Sequence, residues 1–229
     1  MTNRIALKLA DLNLFISKDQ LESITSHIKV NNPQLLYSAI QIPDKKTPNE
    51  LTFTPKPLVT LLFHSHLSML QIERKGLLVL LPAFSELLKE GKNIRLVIAG
   101  QTGDGLNHIK KNLRDNEIEK HVDIELDISK AKKIILMNTS DLLVNVSYME
   151  GFGNACLEAM SLGLPVAVSR FGASPELLDI KDLISMSVST RGVKEVITWY
   201  LSNTKSEKIE LRSKVKAYAW ENFNLELRK

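Results

Sequence analysis

Glu150-Gly151-Phe152-Gly153-Asn154-Ala155-Cys156-Leu157-Glu158-Ala159-Met160 is the stretch around which the rest of this 229-residue chain is read. The run before it, Asp141-Leu142-Leu143-Val144-Asn145-Val146-Ser147, is short, apolar and partly β-branched, which predicts a buried strand. The run after it, Asn154 to Leu162, has helical spacing, so the stretch is a strand-to-helix turn. Glycine at 151 and 153 lets the backbone approach a ligand and adopt positive φ. A helix beginning at Gly153 or Asn154 offers unpaired N–H groups and about half a positive charge, a place for an anion. The bracketing carboxylates Glu150 and Glu158 then serve hydroxyl groups attached to that anion. A phosphorylated sugar fits this pattern.

Hydrophobic residues make up 44% of the chain and charged ones 24%, without a run long enough to span a bilayer, so a soluble globular protein is expected. Met1-Thr2-Asn3-Arg4 lacks the apolar core of a signal peptide, and a single cysteine, Cys156, excludes an internal disulfide. A cytoplasmic location follows as the expectation. The net charge of +4 favours approach of an anionic substrate or peripheral contact with an anionic membrane at its inner face. Nucleic acid is not an expected partner: Lys110, Lys111, Lys132, Lys133, Lys214 and Lys216 have no interleaved aromatics and read as solvated helix faces.

Taken in order, the chain opens with a strand at Leu12 to Ile16, a helix from Asp19 to His27 and a strand at Gln34 to Ile40. Pro43 to Pro57 holds four prolines (Pro43, Pro48, Pro55, Pro57) and reads as a linker. Strands at 58–63, 94–99, 122–126, 142–146, 165–169 and 183–188 then alternate with helices at 76–89, 106–114, 131–138, 154–162 and a short one at 174–178. Helices at 193–202 and 207–223 close the chain. This alternation predicts an α/β fold, a Rossmann-like parallel sheet with helices on both faces, whose ligands bind at the carboxyl ends of the strands. The expected divisions are 1–50, a small N-terminal unit with linker; 51–205, the ligand-binding sheet domain; and 206–229, a C-terminal helix.

Several loops fall at that end of the sheet. The one after Phe63 runs from His64 through His66 to Arg74, Lys75 and Gly76; cations opening a helix oppose its dipole unless a phosphate lies nearby. Gly100, Gly103 and Gly105 are spaced G-x-x-G-x-G, which departs from a dinucleotide fingerprint and weakens a dehydrogenase reading. His64 and His66 lack a third ligand at metal spacing, and Cys156 has no histidine partner, so packing explains it better than nucleophilic chemistry. Arg170, Ser174 and Glu176 can reach the same crevice, with helix capping the expected duty of Ser174. A glycoside hydrolase using Glu150 and Glu158 requires them on opposite sides of a glycosidic bond, which a glycine turn at a helix start does not suit.

Glu150-Gly151-Phe152-Gly153 and Glu158-Ala159-Met160, followed by Gly163-Leu164-Pro165-Val166 and Gly172-Ala173-Ser174-Pro175-Glu176-Leu177, resemble the retaining GT-B glycosyltransferases of family 4. Lys75-Gly76, Ala99-Gly100 and Tyr218 to Phe223 extend the resemblance, and residues 10–17 are similar to the last strand of that family's N-terminal domain. The resemblance implies a nucleotide-sugar donor such as a UDP- or GDP-hexose and no cofactor or metal. Glu150 is implied as the catalytic-site glutamate on the transferred sugar and Glu158 as the ribose ligand. Lys75, Gly100 and the amides of Gly151, Phe152 and Gly153 are implied on the donor, with His66, Arg74 and Glu176 as further candidates. Ser65-His66 stands where the family has Gly-Arg, so the usual diphosphate arginine is missing. Most of the N-terminal domain also lies outside the chain, and relatives continue beyond the position of Phe223 with a helix crossing back to it. The resemblance therefore implies a donor-binding portion that acts on a glycan or lipid-linked acceptor when completed by an acceptor-binding domain, which a separate chain can supply. The alternative is a catalytically incomplete accessory protein.

Overall fold

The computed structural model describes residues 4–40, 55–177 and 184–225, so most of the expected linker and the expected element ends Leu178 and Leu183 lie outside the described residues. The chain opens with α1 (Arg4–Leu9), β1 (Asn13–Phe15), α2 (Lys18–Thr25) and β2 (Pro33–Leu35). β1 and β2 pair in parallel, with α2 as their connection. Ser17 is extended (φ −152°) and its hydroxyl accepts from the Gln20 N–H, which fixes where α2 begins.

β3 (Val59–His64), α3 (Met69–Arg74), α4 (Leu77–Lys89), β4 (Ile94–Gly100) and α5 (Leu106–Asp115) follow. Next come β5 (Val122–Leu126), α6 (Lys130–Thr139), β6 (Leu142–Asn145), α7 (Asn154–Ser161), β7 (Val166–Ser169), β8 (Ile184–Met186), α8 (Thr190–Ser202) and α9 (Lys205–Phe223). Six strands form one sheet in the order β5-β4-β3-β6-β7-β8, and every neighbouring pair is parallel. The expected Rossmann-like architecture is thus present. Val-Ala-Val in β7 and Leu-Leu-Val in β6 are buried throughout because helices cover both faces of a parallel sheet. α9 packs along α7 and begins with a capping box formed by Thr204 and Glu207.

Three features differ from the sequence expectation. Residues 69–74, read as loop, form α3, a helix too short for its one buried residue, Ile72, to show a period. α1, six residues with none buried, is too short to show a helical period. After α9 the chain already meets the N-terminal segment: the Ile40 N–H donates to the Phe223 carbonyl (3.0 Å) and the Leu225 N–H to the Ile40 carbonyl (3.1 Å).

Strand order reverses between β3 and β6. The loops leaving their carboxyl ends must diverge there, and the crevice between them is where this architecture takes a ligand.

Candidate functional site

Two glycines set the geometry of that crevice. Gly76 has φ +66°, and a Cβ there would lie 2.3 Å from the Val146 carbonyl oxygen, so only glycine lets the start of α4 press against the end of β6. That approach brings Lys75 to Glu150. Gly153, at φ +85°, opens α7, and a Cβ there would meet Leu177 Cδ1 at 2.9 Å.

Glu150 is buried, and its Oε2 is ion-paired with Lys75 Nζ. The same oxygen lies 3.3 Å from Asn145 Nδ2, which donates to it, and 3.2 Å from the Ser147 hydroxyl. Oε1 has no donor among the described residues. Burial pushes the Glu150 carboxyl up, but Lys75, Asn145 and the nearby Arg74 outweigh it and hold the group below the usual glutamate range. Arg74 donates to the Met149 carbonyl (2.9 Å) and to Gln71 Oε1, so both expected cations lie against the turn that carries Glu150.

Glu158, one helical stretch further, pairs with Lys133 of α6 at 2.7 Å; its side chain is 38% exposed against 9% for Glu150. His64 lies within electrostatic reach of both pairs. Burial and the Lys133 ammonium lower its pKa, so the ring is neutral at pH 7. The site is therefore two Lys–Glu pairs near an uncharged imidazole.

The turn itself offers backbone. Among the described residues nothing accepts from the N–H groups of Gly151, Phe152, Gly153, Asn154 or Ala155, the expected condition of a helix start awaiting an acceptor. Gly151 is exposed, and a Cβ there would meet only Ile16 Cδ1, at 4.0 Å. The Phe152 ring points away, packed between Tyr37 (centroids 5.3 Å) and Phe223 (5.6 Å), so only its backbone remains to offer.

Other expected residues are used differently. A Cβ on Gly100 would lie 1.6 Å from the Ser65 carbonyl oxygen, and those on Gly103 and Gly105 would strike the backbone of residues 67–69. Close packing of two loops accounts for glycine at all three. His66 is exposed, and its Nδ1 accepts from the Ser68 N–H (3.1 Å). Glu176 accepts from the backbone N–H groups of Lys18 (2.7 Å) and Asp19 (2.8 Å), so both its oxygens are engaged at the start of α2. Burial pushes the Cys156 thiol up to about 12, which leaves it unreactive packing, as expected. Sequence reasoning missed Asn145, Ser147 and Lys133 as members of the site. Two polar residues closing an otherwise apolar strand at its ligand end were the available signal for the first two; Lys133 carried none, being one of several helical lysines.

Comparison with known proteins locates this arrangement. A family model described as glycosyl transferases group 1 matches residues 66–221. The chain belongs to the glycosyl transferases group 1 family. One relative is the GDP-mannose:cellobiosyl-diphosphopolyprenol alpha-mannosyltransferase of Xanthomonas oryzae pv. oryzae, 35% identical over 92 residues, which cover 39% of this chain and 24% of that protein. Another is the alpha-monoglucosyldiacylglycerol synthase of Streptococcus pneumoniae, 31% identical over 92 residues, 40% of this chain and 21% of the relative. The matched segment thus spans less than a quarter of either relative. HepE of Anabaena, crystallised in complex with UDP and glucose, superposes with a TM-score of 0.80 at 17% identity, over 97% of this chain and 62% of HepE. That likeness shows a shared fold, the Rossmann-like half of the GT-B architecture. Among the described residues no helix is long and apolar enough to cross a membrane.

Proposed function

We propose that this glycosyltransferase chain carries the nucleotide-sugar donor site of a retaining enzyme, with a UDP- or GDP-hexose as donor and a glycan or lipid-linked molecule as acceptor. The observation that carries the reading is the Lys75–Glu150 pair set against the unpaired amides at the start of α7. Lys75 keeps protons free beyond the one directed at Glu150, so the ammonium bridges that carboxylate and the donor diphosphate. Glu150 Oε1 accepts from a hydroxyl of the transferred sugar, and the amides of Gly151, Phe152 and Gly153 complete the cradle. Glu158, oriented by Lys133, takes the ribose hydroxyls.

In the transfer step the acceptor oxygen bonds to the anomeric carbon from the face the diphosphate leaves. The bond from that carbon to the phosphate oxygen breaks, and the departing phosphate oxygen takes the acceptor proton. Lys75, Arg74 and the helix start neutralise the charge that develops, so the reading requires no metal ion. An acceptor-binding domain, on a longer chain or a separate one, completes the cleft; residues 4–40 are its expected neighbour, and a basic surface suits contact with an anionic membrane.

Titration calorimetry with UDP- and GDP-sugars tests the assignment. Binding that is lost in Glu158→Ala supports it; no binding, or binding unchanged by that substitution, refutes it. An accessory role is favoured by the exposed His66 in place of an arginine. Transfer on adding an acceptor-domain protein excludes a purely accessory role.

A further inference from the structure

The loop that follows β7 is tied at both ends to parts of the chain far away in sequence. At its start, Gly172 (φ +60°) lies so close to Glu150 that a Cβ would fall 2.7 Å from the Glu150 carbonyl oxygen and 2.9 Å from its nitrogen, and the Ala173 N–H donates to that same carbonyl at 3.1 Å. At its end, Leu177 packs on Gly153, the first residue of the α7 start. Between these anchors the Glu176 carboxylate accepts from the first two amides of α2, Lys18 (2.7 Å) and Asp19 (2.8 Å), and lies beside the Tyr37 hydroxyl. A carboxylate at that position satisfies two amides that a helix start leaves open and complements its dipole. Tyr37 in turn packs against Phe152, inside the glycine turn, with its ring tilted by 33°. Two routes therefore run from α2 and the β2 segment to the backbone of residues 150–153, and Glu176 is the residue they share.

We infer that Glu176 is a positioning residue that latches the N-terminal segment to the turn carrying Glu150, so that the placement of α2 sets how well the site holds the sugar half of its donor. The inference rests on the donor-site reading above. The latch acts on Glu150 and the N-cap of α7, whereas Glu158 stands a full turn further along α7 and its partner Lys133 lies on α6, which the latch does not touch. Loosening it therefore weakens contacts to the sugar most and leaves those to the ribose in place. Lys18 provides a second handle. It occupies the first position of α2, where proline fits a helix, and Ser17 before it is already extended, as a residue preceding proline requires. Lys18→Pro thus removes one N–H donor to Glu176 without altering the sheet domain.

The test compares the affinity of UDP with UDP-glucose, and of GDP with GDP-mannose, in the unaltered chain, Glu176→Ala and Lys18→Pro, with thermal unfolding run on each. The inference predicts that both variants lose at least about fivefold in affinity for the sugar nucleotide that the unaltered chain binds, a coupling of ordinary size between linked elements. The parent diphosphate, which lacks the sugar and keeps its ribose contacts, loses clearly less than the sugar nucleotide does. Equal affinities for both ligands in all three proteins overturn the latch. So does a parallel loss of both ligands together with a lowered melting temperature, which marks a structural role only. If the unaltered chain binds neither nucleotide nor sugar nucleotide, the donor-site reading fails, and the latch fails with it.

Discussion

Two glycine-bearing loops face the carboxyl end of the same sheet and use glycine for opposite reasons. In the Gly100–Gly105 loop the space of each missing side chain is filled by the backbone of residues 65–69, to within 1.6 Å at Gly100. In the Glu150–Gly153 turn, Gly151 faces open space with Ile16 Cδ1 4.0 Å away, and the neighbouring amides have no acceptor among the described residues. Both loops join a strand to a helix, and the family resemblance places glycines of both, Gly100 and Gly151 with Gly153, on the donor. What separates them is occupancy. A glycine already filled by protein serves packing, and one left open serves a ligand.

The largest expected effect breaks the first loop. Gly100→Ala forces the Ser65 backbone aside and costs about 3 kcal/mol or more, a drop on the order of 10 °C in melting temperature by calorimetry. Next is the buried pair that anchors the second loop. Glu150→Ala leaves the Lys75 ammonium in a site only 15% exposed, and the expected cost is about 2–3 kcal/mol in denaturant unfolding. Adding Lys75→Met to Glu150→Ala recovers part of that cost, the mark of a coupled pair.

Acidification probes the same region with a defined sign. Burial and Lys133 keep His64 below its ordinary pKa, so the fold favours the neutral ring. Stability from this group is complete above about pH 6.5 and declines as pH falls, because the unfolded chain takes up the proton first. Glu150, also held below its ordinary value, adds a further loss as pH falls below about 4.3 and on through its folded pKa. Urea melts across this range show both declines, and His64→Asn removes the first.

Smaller effects separate ligand duty from stability. Lys133→Met breaks a pair whose members are partly exposed, so stability falls by less than about 1 kcal/mol. Binding of a nucleoside diphosphate weakens by more than that, because Glu158 loses its orienting partner. Gly151→Ala changes stability by no more than about 0.5 kcal/mol, since its Cβ meets nothing, yet lowers sugar-nucleotide affinity by intruding where the donor backbone contact forms.

How much of this was legible in the sequence follows from where each constraint resides. The sheet was readable because strands buried on both faces are continuous apolar runs, as in residues 61–63 and 142–144, and the glycine turn because it interrupts one such run before a helical period. α3 was not, since six residues with one buried side chain carry no period. The Lys75–Glu150 pair joins residues 75 positions apart and depends on Gly76 lying against Val146, a tertiary contact with no local signature. Glu176 stood in a motif suggestive of the donor, yet its oxygens are held by amides 157 and 158 residues away. Motif spacing names residues that lie near a site; only their contacts tell which face the ligand.

The contrast between the two glycine loops is tested most directly by amide NMR during titration with UDP-glucose and GDP-mannose. The account predicts that the largest shifts fall on the N–H groups of Gly151, Phe152, Gly153 and Asn154, while those of Gly103 and Gly105 stay nearly unmoved. Shifts concentrated in residues 100–105, or none in the 150–154 turn at saturating ligand, contradict it.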